Sequence, residues 1–508
     1  MYALTSEQMK QLDYYTIHQL GVAGPTLMEI AGNAVVMACR ERQLLEGKIT
    51  VLCGSGNNGG DGFVIARRLI DLGYDVSIGV AVEAARIQGD ARVHYELVIR
   101  RNIPVTFLTT EAQAYAFLNE ASTIVDCLLG TGISGQLRGT YAWLIPMINT
   151  LQKRIIAVDV PSGLNANSGT FDAAIYAHTT VTLAQPKIGF YLQHASQVLG
   201  EVVVVDISVP PSLVETLQLD APQIITADVV RNALPKRVRH GHKGTFGHGA
   251  VIGGSLHYVG APLYSAKAAF HSGIGLVSLV VPEPLMSAMM LQAPEALLKA
   301  CEARDGYLTV DGVAAYDFSN LRALAFGPGL GRAEHLTELA AWLLAVEGPQ
   351  TLIIDADGLY ALKPHLSVIK ACAKMVIVTP HPGEMAMLCD TTVAHIEANR
   401  LHYATQFSKR TGAYTLLKGH RTIIATPSGD AWILPIGDDA LGKGGSGDVL
   451  TGLILSFATQ GATPLQAMQA ASYVQAACAT TLAARHSHYS VTPEMVIIDI
   501  GDTLRQFE

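Results

Sequence analysis

Two short segments carry residue types and spacings suited to chemistry on a phosphorylated ligand. Gly442–Gly452 reads GKGGSGDVLTG and sets glycines, a serine and an aspartate at the apparent start of an apolar helix. Glycines let backbone N–H groups approach an anion closely, and a helix N-terminus directs partial positive charge at it. Asp448 is the odd member, because a carboxylate beside a bound phosphate is electrostatically costly. The cost makes sense if Asp448 acts on a hydroxyl while the phosphate is held next to it. Far upstream, Asn57–Gly62 reads NNGGDG after a strand-like run of its own. Asn and Asp supply oxygens and tolerate left-handed turns, so this loop suits a cation or a hydroxylated ligand. A capped strand-to-helix turn is the plainer reading of the same residues. Two such loops in one chain predict two sites.

Each loop has companions. VDCLLGTGISGQ puts Asp126 near a strand end, followed by a glycine-rich loop suited to a phosphate, and AVDVPSGLNANSG puts Asp159 at the next strand end with Ser162 in a tight Pro-Ser-Gly turn. Either aspartate alone reads as a cap or turn acid; at successive strand termini they read together as a built site. In the second half, HKGTFGHGAVIGGS and Gly327–Gly331 (GPGLG) are flexible backbone platforms, and Lys418–Thr422 (KGHRT) offers cationic and hydroxyl groups at a strand end. A lone GPGLG is a turn and a lone KGHRT a hairpin corner. Together with GGSGD, which supplies an anion hole and an acid, the four converge on phosphoryl chemistry.

The elements that must position these loops alternate along the chain. Apolar strand candidates are Ile49–Cys53, Val76–Val80, Val105–Leu108, Thr123–Leu129, Ile155–Val160, Val181–Leu183 and Val202–Ile207, with helical patterns such as Phe63–Leu72 and Ala91–Arg101 between several of them. Continuous apolar strands alternating with helices predict a mainly parallel sheet covered on both faces. Ligands of such sheets bind beyond the carboxyl ends of the strands, where NNGGDG, GTGISGQ and DVPSG all fall. Around Pro210–Pro222 the pattern lapses into a proline-containing connector, after which the alternation resumes. Candidates there include Ala250–Ile252, Leu276–Val281, Ala323–Phe326, Leu352–Asp355, Val376–Thr379, Thr415–Lys418 and Thr422–Ala425. At 508 residues the chain is too long for one ordinary core, so two domains are expected, residues 1–218 and 219–508.

The order GSGNNGGDG, D-x-L-x-GTG, DVPSG resembles the NAD(P)H-hydrate epimerase family over nearly all of residues 1–215. The resemblance implies a Rossmann-like three-layer α/β fold acting on NADHX and NADPHX, the forms of NADH and NADPH hydrated at C6 of the nicotinamide ring. It implies that Asn57, Asn58, Gly59, Gly60 and Asp61, with Gly130, Thr131, Gly132, Ile133, Ser134, Gly135 and Gln136, hold the hydrated dinucleotide. Asn58, Asp126 and Ser162 would surround a potassium ion, and Asp159 would reach the reacting ring as the catalytic acid or base. A carboxylate is suited to that place, because inverting C6 needs proton transfers and an anion stabilises a cationic ring.

From about Ile224 onward the chain resembles the ribokinase-like superfamily, another α/β fold. More narrowly, HKGTFGHGAVIGGS, GAPLYSAKAAF, TPHPGE, KG-x-x-T and GGSGDVLTG resemble ADP/ATP-dependent NAD(P)H-hydrate dehydratase. His381 stands where sugar kinases of the superfamily commonly carry asparagine, which favours the dehydratase. Carried over by position, Ala261, Gly329, His381 and Asp448 would contact the hydrated dinucleotide, and Lys418, Gly419, His420, Arg421, Thr422 and Gly447 the adenine nucleotide. Mg2+ with ADP or ATP is implied as co-substrate, with Glu384 orienting the metal through water or lying solvated at the surface. One departure is GDDALGK at residues 437–443, where the family shows a G-N-x-G-M-like run. Asp438, Asp439 and Lys443 change the local charge and leave nucleotide choice open, while Gly444–Asp448 are intact.

Three other readings stand beside this one. They are a ribokinase-like small-molecule kinase, a non-catalytic first domain used for binding, and a hydride-transferring dehydrogenase. The last is disfavoured because no G-x-G-x-x-G with a downstream ribose acid is evident. Hydrophobic residues make up 49% and charged residues 15%, as in a well-buried globular protein rather than a disordered one. A net charge of −8 gives no general basic footprint for nucleic acid. The start MYALTSEQMKQLDYY lacks signal-peptide design, and the charge-poor stretch Ala250–Ala266 is too interrupted to span a membrane. Seven scattered cysteines without a C-x-x-C pair read as free thiols, so a cytoplasmic location is expected. Met9, Leu12, Ile17 and Leu20 on the first helix serve either core packing or the interface of a homo-oligomer.

Overall fold

Seven apolar runs of the first half become strands: β1 (Ile49–Cys53), β2 (Val76–Val80), β3 (Val105–Phe107), β4 (Thr123–Cys127), β5 (Arg154–Val158), β6 (Thr179–Leu183) and β7 (Glu201–Val205). The computed structural model describes every residue except Ser134 and Pro349, and divides the chain into units Met1–Pro222 and Gln223–Glu508. In the first unit the strands lie in the order β3-β2-β1-β4-β5-β6-β7, all parallel. Successive side chains of a strand point to opposite faces, and here both faces are dry. Val51 and Val125 join one apolar cluster with Leu27, Val35 and Ile65, while their neighbours Leu52 and Ile124 join another with Leu144 and Ile148. The result is a helix–sheet–helix sandwich whose strand order reverses between β1 and β4, the switch point at which a crevice opens beyond the strand ends.

Several strands stop short of their sequence-predicted ends, and Asp159 is among the residues left over. Asp159 follows β5 at φ +65°, a left-handed turn that takes the chain out of the sheet. NNGGDG is not a loop: the helix Asn57–Asp71 begins there, with Gly56 as its N-cap. Its glycines serve close packing, since a Cβ at Gly59 would lie 2.2 Å from the Gly54 carbonyl oxygen and one at Gly60 2.4 Å from Met28 Sδ. The proline-containing connector includes a helical turn, Leu213–Thr216, whose Leu213 and Val214 are buried in the first unit.

The second unit holds β8 (Gln223–Ile224), β9 (His248–Ile252), β10 (Leu276–Pro282), β11 (Leu297–Cys301), a small hairpin of β12 (Ala303–Arg304) and β13 (Tyr307–Leu308), β14 (Ala323–Phe326), β15 (Thr351–Ile354), β16 (Met375–Val378), β17 (Tyr414–Leu417), β18 (Ile423–Ala425) and β19 (Ala431–Ile433). The main sheet runs β11-β10-β9-β14-β15-β16-β17-β18-β19-β8; it is parallel as far as β17, and β18 is antiparallel to both its neighbours. The helices Gly260–His271 and Ser446–Thr459 cross closely on one face, where a Cβ at Gly452 would lie 2.1 Å from the Ser265 carbonyl oxygen. That crossing fixes the start of the second helix, the GGSGD segment, against the strand ends.

Candidate functional sites

The carboxyl ends of the first unit's strands open into a cavity of about 480 Å³. Asn57, Asn58 and Asp61 reach it from the helix after β1, Gly130 to Ile133 from the turn after β4, and Asp159 from the end of β5. The other residues implied to hold the dinucleotide are placed differently. Gly59 and Gly60 turn into the helix packing, Gly135 lines a smaller neighbouring cleft, Gln136 is exposed, and Ser134 lies outside the described residues.

Asp159 is not alone. The fully buried Lys187 donates from Nζ to Asp159 Oδ1, and also to Thr182 Oγ1 at 2.8 Å, Gln185 O at 3.1 Å and Leu183 O at 3.2 Å. The Leu183 amide, at 3.3 Å, reaches the same carboxylate oxygen. Three more carboxyls line the cavity, Asp13, Asp61 and Asp90. Burial, the Asp159 charge and then Asp13 push Asp61 well above the carboxylate range against the pull of Lys187. Asp13, from the helix Ser6–His18, is pushed up to about 6 by burial and by Asp159. Sequence reasoning missed Lys187 and Asp13. The available signal for Lys187 was its place as the one charge in the run Val181–Tyr191, since a lysine carried into an apolar interior needs an acid partner.

Beneath the cavity the Ser162 amide donates to Asp126 Oδ2 at 2.8 Å and the Ser162 hydroxyl to Asp126 Oδ1 at 2.6 Å. Asn58 Nδ2 donates to the carbonyls of Leu129, at 2.9 Å, and Val158, at 3.1 Å. These two bonds fix the amide orientation and leave Asn58 Oδ1 buried without a partner among the described residues. Burial raises Asp126 to about 6 despite its three donors. An unmatched oxygen, a buried carboxylate and a hydroxyl form an oxygen-only donor set that fits a hard monovalent cation.

In the second unit a cavity of about 600 Å³ opens beyond β15, β16 and β17. His381, Lys418, Gly419, His420, Thr422, Gly447 and Asp448 all line it. Ala261 and Gly329 lie apart from that lining and pack on each other, a Cβ at Gly329 falling 3.2 Å from Ala261 Cβ. The Arg421 side chain also turns away, donating to the Pro435 carbonyl. Lys418 Nζ donates to Asp355 Oδ1 at 2.7 Å and stands 3.8 Å from Glu384 Oε2. Asp355, which also accepts from Thr451 Oγ1 at 2.7 Å, was read in the sequence as the last residue of a strand candidate and not as a site residue.

Charge sorts these groups. Burial alone would raise Asp355, but the Lys418 ammonium and the hydroxyl donors more than offset it and hold the carboxyl below its usual range. Among the described residues Asp448 has no such direct partner, so burial and then the Asp355 charge push it up to about 7. Two carboxyls with titrations driven apart are the arrangement in which one stays ionised and the other exchanges a proton near neutrality. His381 caps the helix Pro382–Leu388: its Nδ1 accepts from the Gly383 amide at 3.0 Å and the Glu384 amide at 3.3 Å, and Glu384 Oε2 accepts from the His381 amide at 2.8 Å. Capping places the imidazole proton on Nε2, and burial with the nearby Lys418 lowers the ring's tendency to charge.

The charges of GDDALGK are used locally. Asp438 caps the turn Asp439–Leu441, Asp439 Oδ1 lies 2.6 Å from His488 Nδ1, and Lys443 Nζ donates to the carbonyls of Tyr489, at 2.7 Å, and Val491, at 2.5 Å. They tie the segment after the helix Pro464–Arg485 to the rim of the cavity.

Residues 24–189 match the family described as YjeF-related protein N-terminus, and residues 250–500 the family described as NAD(P)H-hydrate dehydratase. The bifunctional NAD(P)H-hydrate repair enzyme Nnr of Moorella thermoacetica is 36% identical over 488 residues, covering 94% of this chain and 92% of its own. The enzyme of the same description from Salinibacter ruber is 32% identical, covering 99% and 95%. Among solved structures, ADP/ATP-dependent NAD(P)H-hydrate dehydratase from Bacillus subtilis, co-crystallised with ATP and Mg2+, aligns with a TM-score of 0.50 and 30% identity over 56% of this chain and 99% of its own.

Proposed function

The chain belongs to the family of bifunctional NAD(P)H-hydrate repair enzymes, and on that premise we propose how its residues divide the work. The first unit interconverts the R and S forms of NADHX and NADPHX at C6. The second dehydrates the S form at the expense of ADP or ATP. The observation that carries the reading is the near-neutral Asp448 at a helix N-terminus, beside the Lys418–Asp355 ion pair.

In the second cavity, the amides at the start of the helix Ser446–Thr459 and the Lys418 ammonium hold the nucleotide phosphates. Asp448 takes the proton of the C6 hydroxyl as its oxygen attacks the terminal phosphorus, and the bond from phosphorus to the rest of the nucleotide breaks. The C6 phosphate ester then leaves as inorganic phosphate, and the neighbouring carbon gives up a proton to restore the dihydronicotinamide double bond. Hydroxide is a poor leaving group and phosphate a good one, which is why a dehydration consumes a nucleotide. Asp355, Glu384 and Asp448 outnumber Lys418, an imbalance that fits a divalent cation. Mg2+ there would screen the phosphate charge, with Asp355 near it and Glu384 holding it through water. The match of residues 250–500 to the dehydratases favours this over a small-molecule kinase.

In the first cavity, Lys187 and the Leu183 amide engage Asp159 Oδ1 and leave Oδ2 for the nicotinamide ring. A protonated carboxyl, Asp61 or Asp13, gives its proton to the C6 hydroxyl, which departs as water. Asp159 stabilises the cationic ring, and water adds to the opposite face as the proton returns. Asn58, Asp126 and Ser162 would hold K+ there, offsetting the buried Asp126 charge.

The test uses separated epimers. Asp159→Asn should slow R-to-S exchange by about a hundredfold or more while leaving ATP-driven loss of the S form intact, and Asp448→Asn should do the reverse. Exchange that survives Asp159→Asn would remove that residue from the chemistry.

A further inference from the structure

Beside the first cavity, the carboxyl ends of β2 and β3 form a second cleft of about 700 Å³ that no step above uses. Its floor is apolar, with Val80, Val82, Phe107 and Leu108. On its rim the 3-10 turn Ala84–Arg86 follows directly from Glu83, so an acid and a base stand three residues apart on one turn. Both are exposed, and among the described residues neither side chain takes part in a hydrogen bond or ion pair.

We infer that this cleft takes the adenosine end of the hydrated dinucleotide, and that Glu83 and Arg86 read the ribose 2′ position. The inference rests on the epimerase reading of the first cavity and extends it. The placement follows from strand order. Counting along β3-β2-β1-β4-β5, the cleft lies three to four strands from Asp159, about 14 to 19 Å at the usual ~4.8 Å spacing. Between the two lie the start of the helix Asn57–Asp71 after β1 and the Gly130–Gly132 turn after β4. A nicotinamide at Asp159 and an adenine at β2 and β3 would set the bridging diphosphate at that helix N-terminus, the favourable place for an anion.

The rim chemistry then sorts the two substrates. A carboxylate accepts hydrogen bonds from the vicinal ribose hydroxyls of NADHX and repels the 2′-phosphate of NADPHX. A guanidinium does the opposite, since its donor fork matches phosphate. With both on one turn the site accepts either substrate. Sequence reading found no ribose acid because Glu83 follows no G-x-G-x-x-G; only the fold places it at the end of the strand next to the switch point.

The measurement is R-to-S exchange with NADHX and with NADPHX, followed by epimer-resolving chromatography on the full chain. Omitting ADP and ATP keeps the second unit from consuming product. Glu83→Gln should raise the NADPHX-to-NADHX ratio of kcat/KM by about tenfold, and Arg86→Ala should lower it by about tenfold. Shifts of opposite sign support the assignment. A ratio that stays put in both variants, or moves the same way in both, overturns it while leaving the epimerase reading standing. No exchange of either substrate by the unsubstituted protein would bring down the epimerase reading and this inference together.

Discussion

At the scale of single residues, the molecule works by driving like groups apart. Asp355 and Asp448 share one cavity and one lysine, yet Asp355 holds the ion pair and Asp448 is left to titrate up at about 7. For a base that must be ionised, the dehydration kcat/KM should rise with pH and level off above about 7. The same shift costs stability. The folded state holds this proton more tightly than the unfolded one, whose carboxyl has the ordinary value of 3.8. The cost therefore grows as pH rises from 3.8 to about 7 and is constant beyond. Asp448→Asn should stabilise the protein by about 1–2 kcal/mol at pH ~8 and by less at pH ~5, read from urea midpoints. An equal effect at the two pH values would place the titration elsewhere. Asp159 and Asp448 were legible in the sequence because each stands beside glycines at an element end, Asp159 after a strand and Asp448 at a helix start. Their partners were not. Lys187 lies 28 residues beyond Asp159, and Asp355 lies 63 residues before Lys418, and only the folded sheet brings them together.

At the scale of elements, sequence periodicity placed the strands well and misjudged their ends. Leu352–Asp355, Val376–Thr379 and Thr415–Lys418 each ran one polar residue too far, and β15, β16 and β17 stop just before Asp355, Thr379 and Lys418. Two of the three residues left over, Asp355 and Lys418, line the cavity, so the error marks the site. The glycines were misread in a similar way. In NNGGDG they look like loop formers, but they sit inside a helix that packs against Gly54 and Met28. Gly452 has the same role where the helices Gly260–His271 and Ser446–Thr459 cross. Gly452→Ala would push a Cβ to 2.1 Å from the Ser265 carbonyl oxygen, which is backbone and cannot step aside. The substitution should cost about 1–3 kcal/mol and slow dehydration, because the crossing holds Asp448 in place, while epimer exchange persists. An unchanged melting temperature would mean that the crossing is looser than the geometry implies.

At the scale of the whole molecule, each unit carries its own core and its own cavity at the carboxyl ends of its own sheet. Among the described residues no helix is long and apolar enough to cross a membrane. Two chemistries on one chain follow the stereochemistry of the substrate: a dehydratase that accepts one C6 epimer strands the other unless something exchanges them. The central claim is that the two cavities form one repair sequence. The measurement that reaches it most directly starts from a mixture of R and S NADHX with Mg2+, K+ and ADP or ATP, and follows the return of reduced-nicotinamide absorbance. Complete recovery, faster than spontaneous epimer exchange, is the predicted result. Recovery that halts once the S form is spent would contradict the account, leaving a working dehydratase joined to a first unit that binds without catalysing.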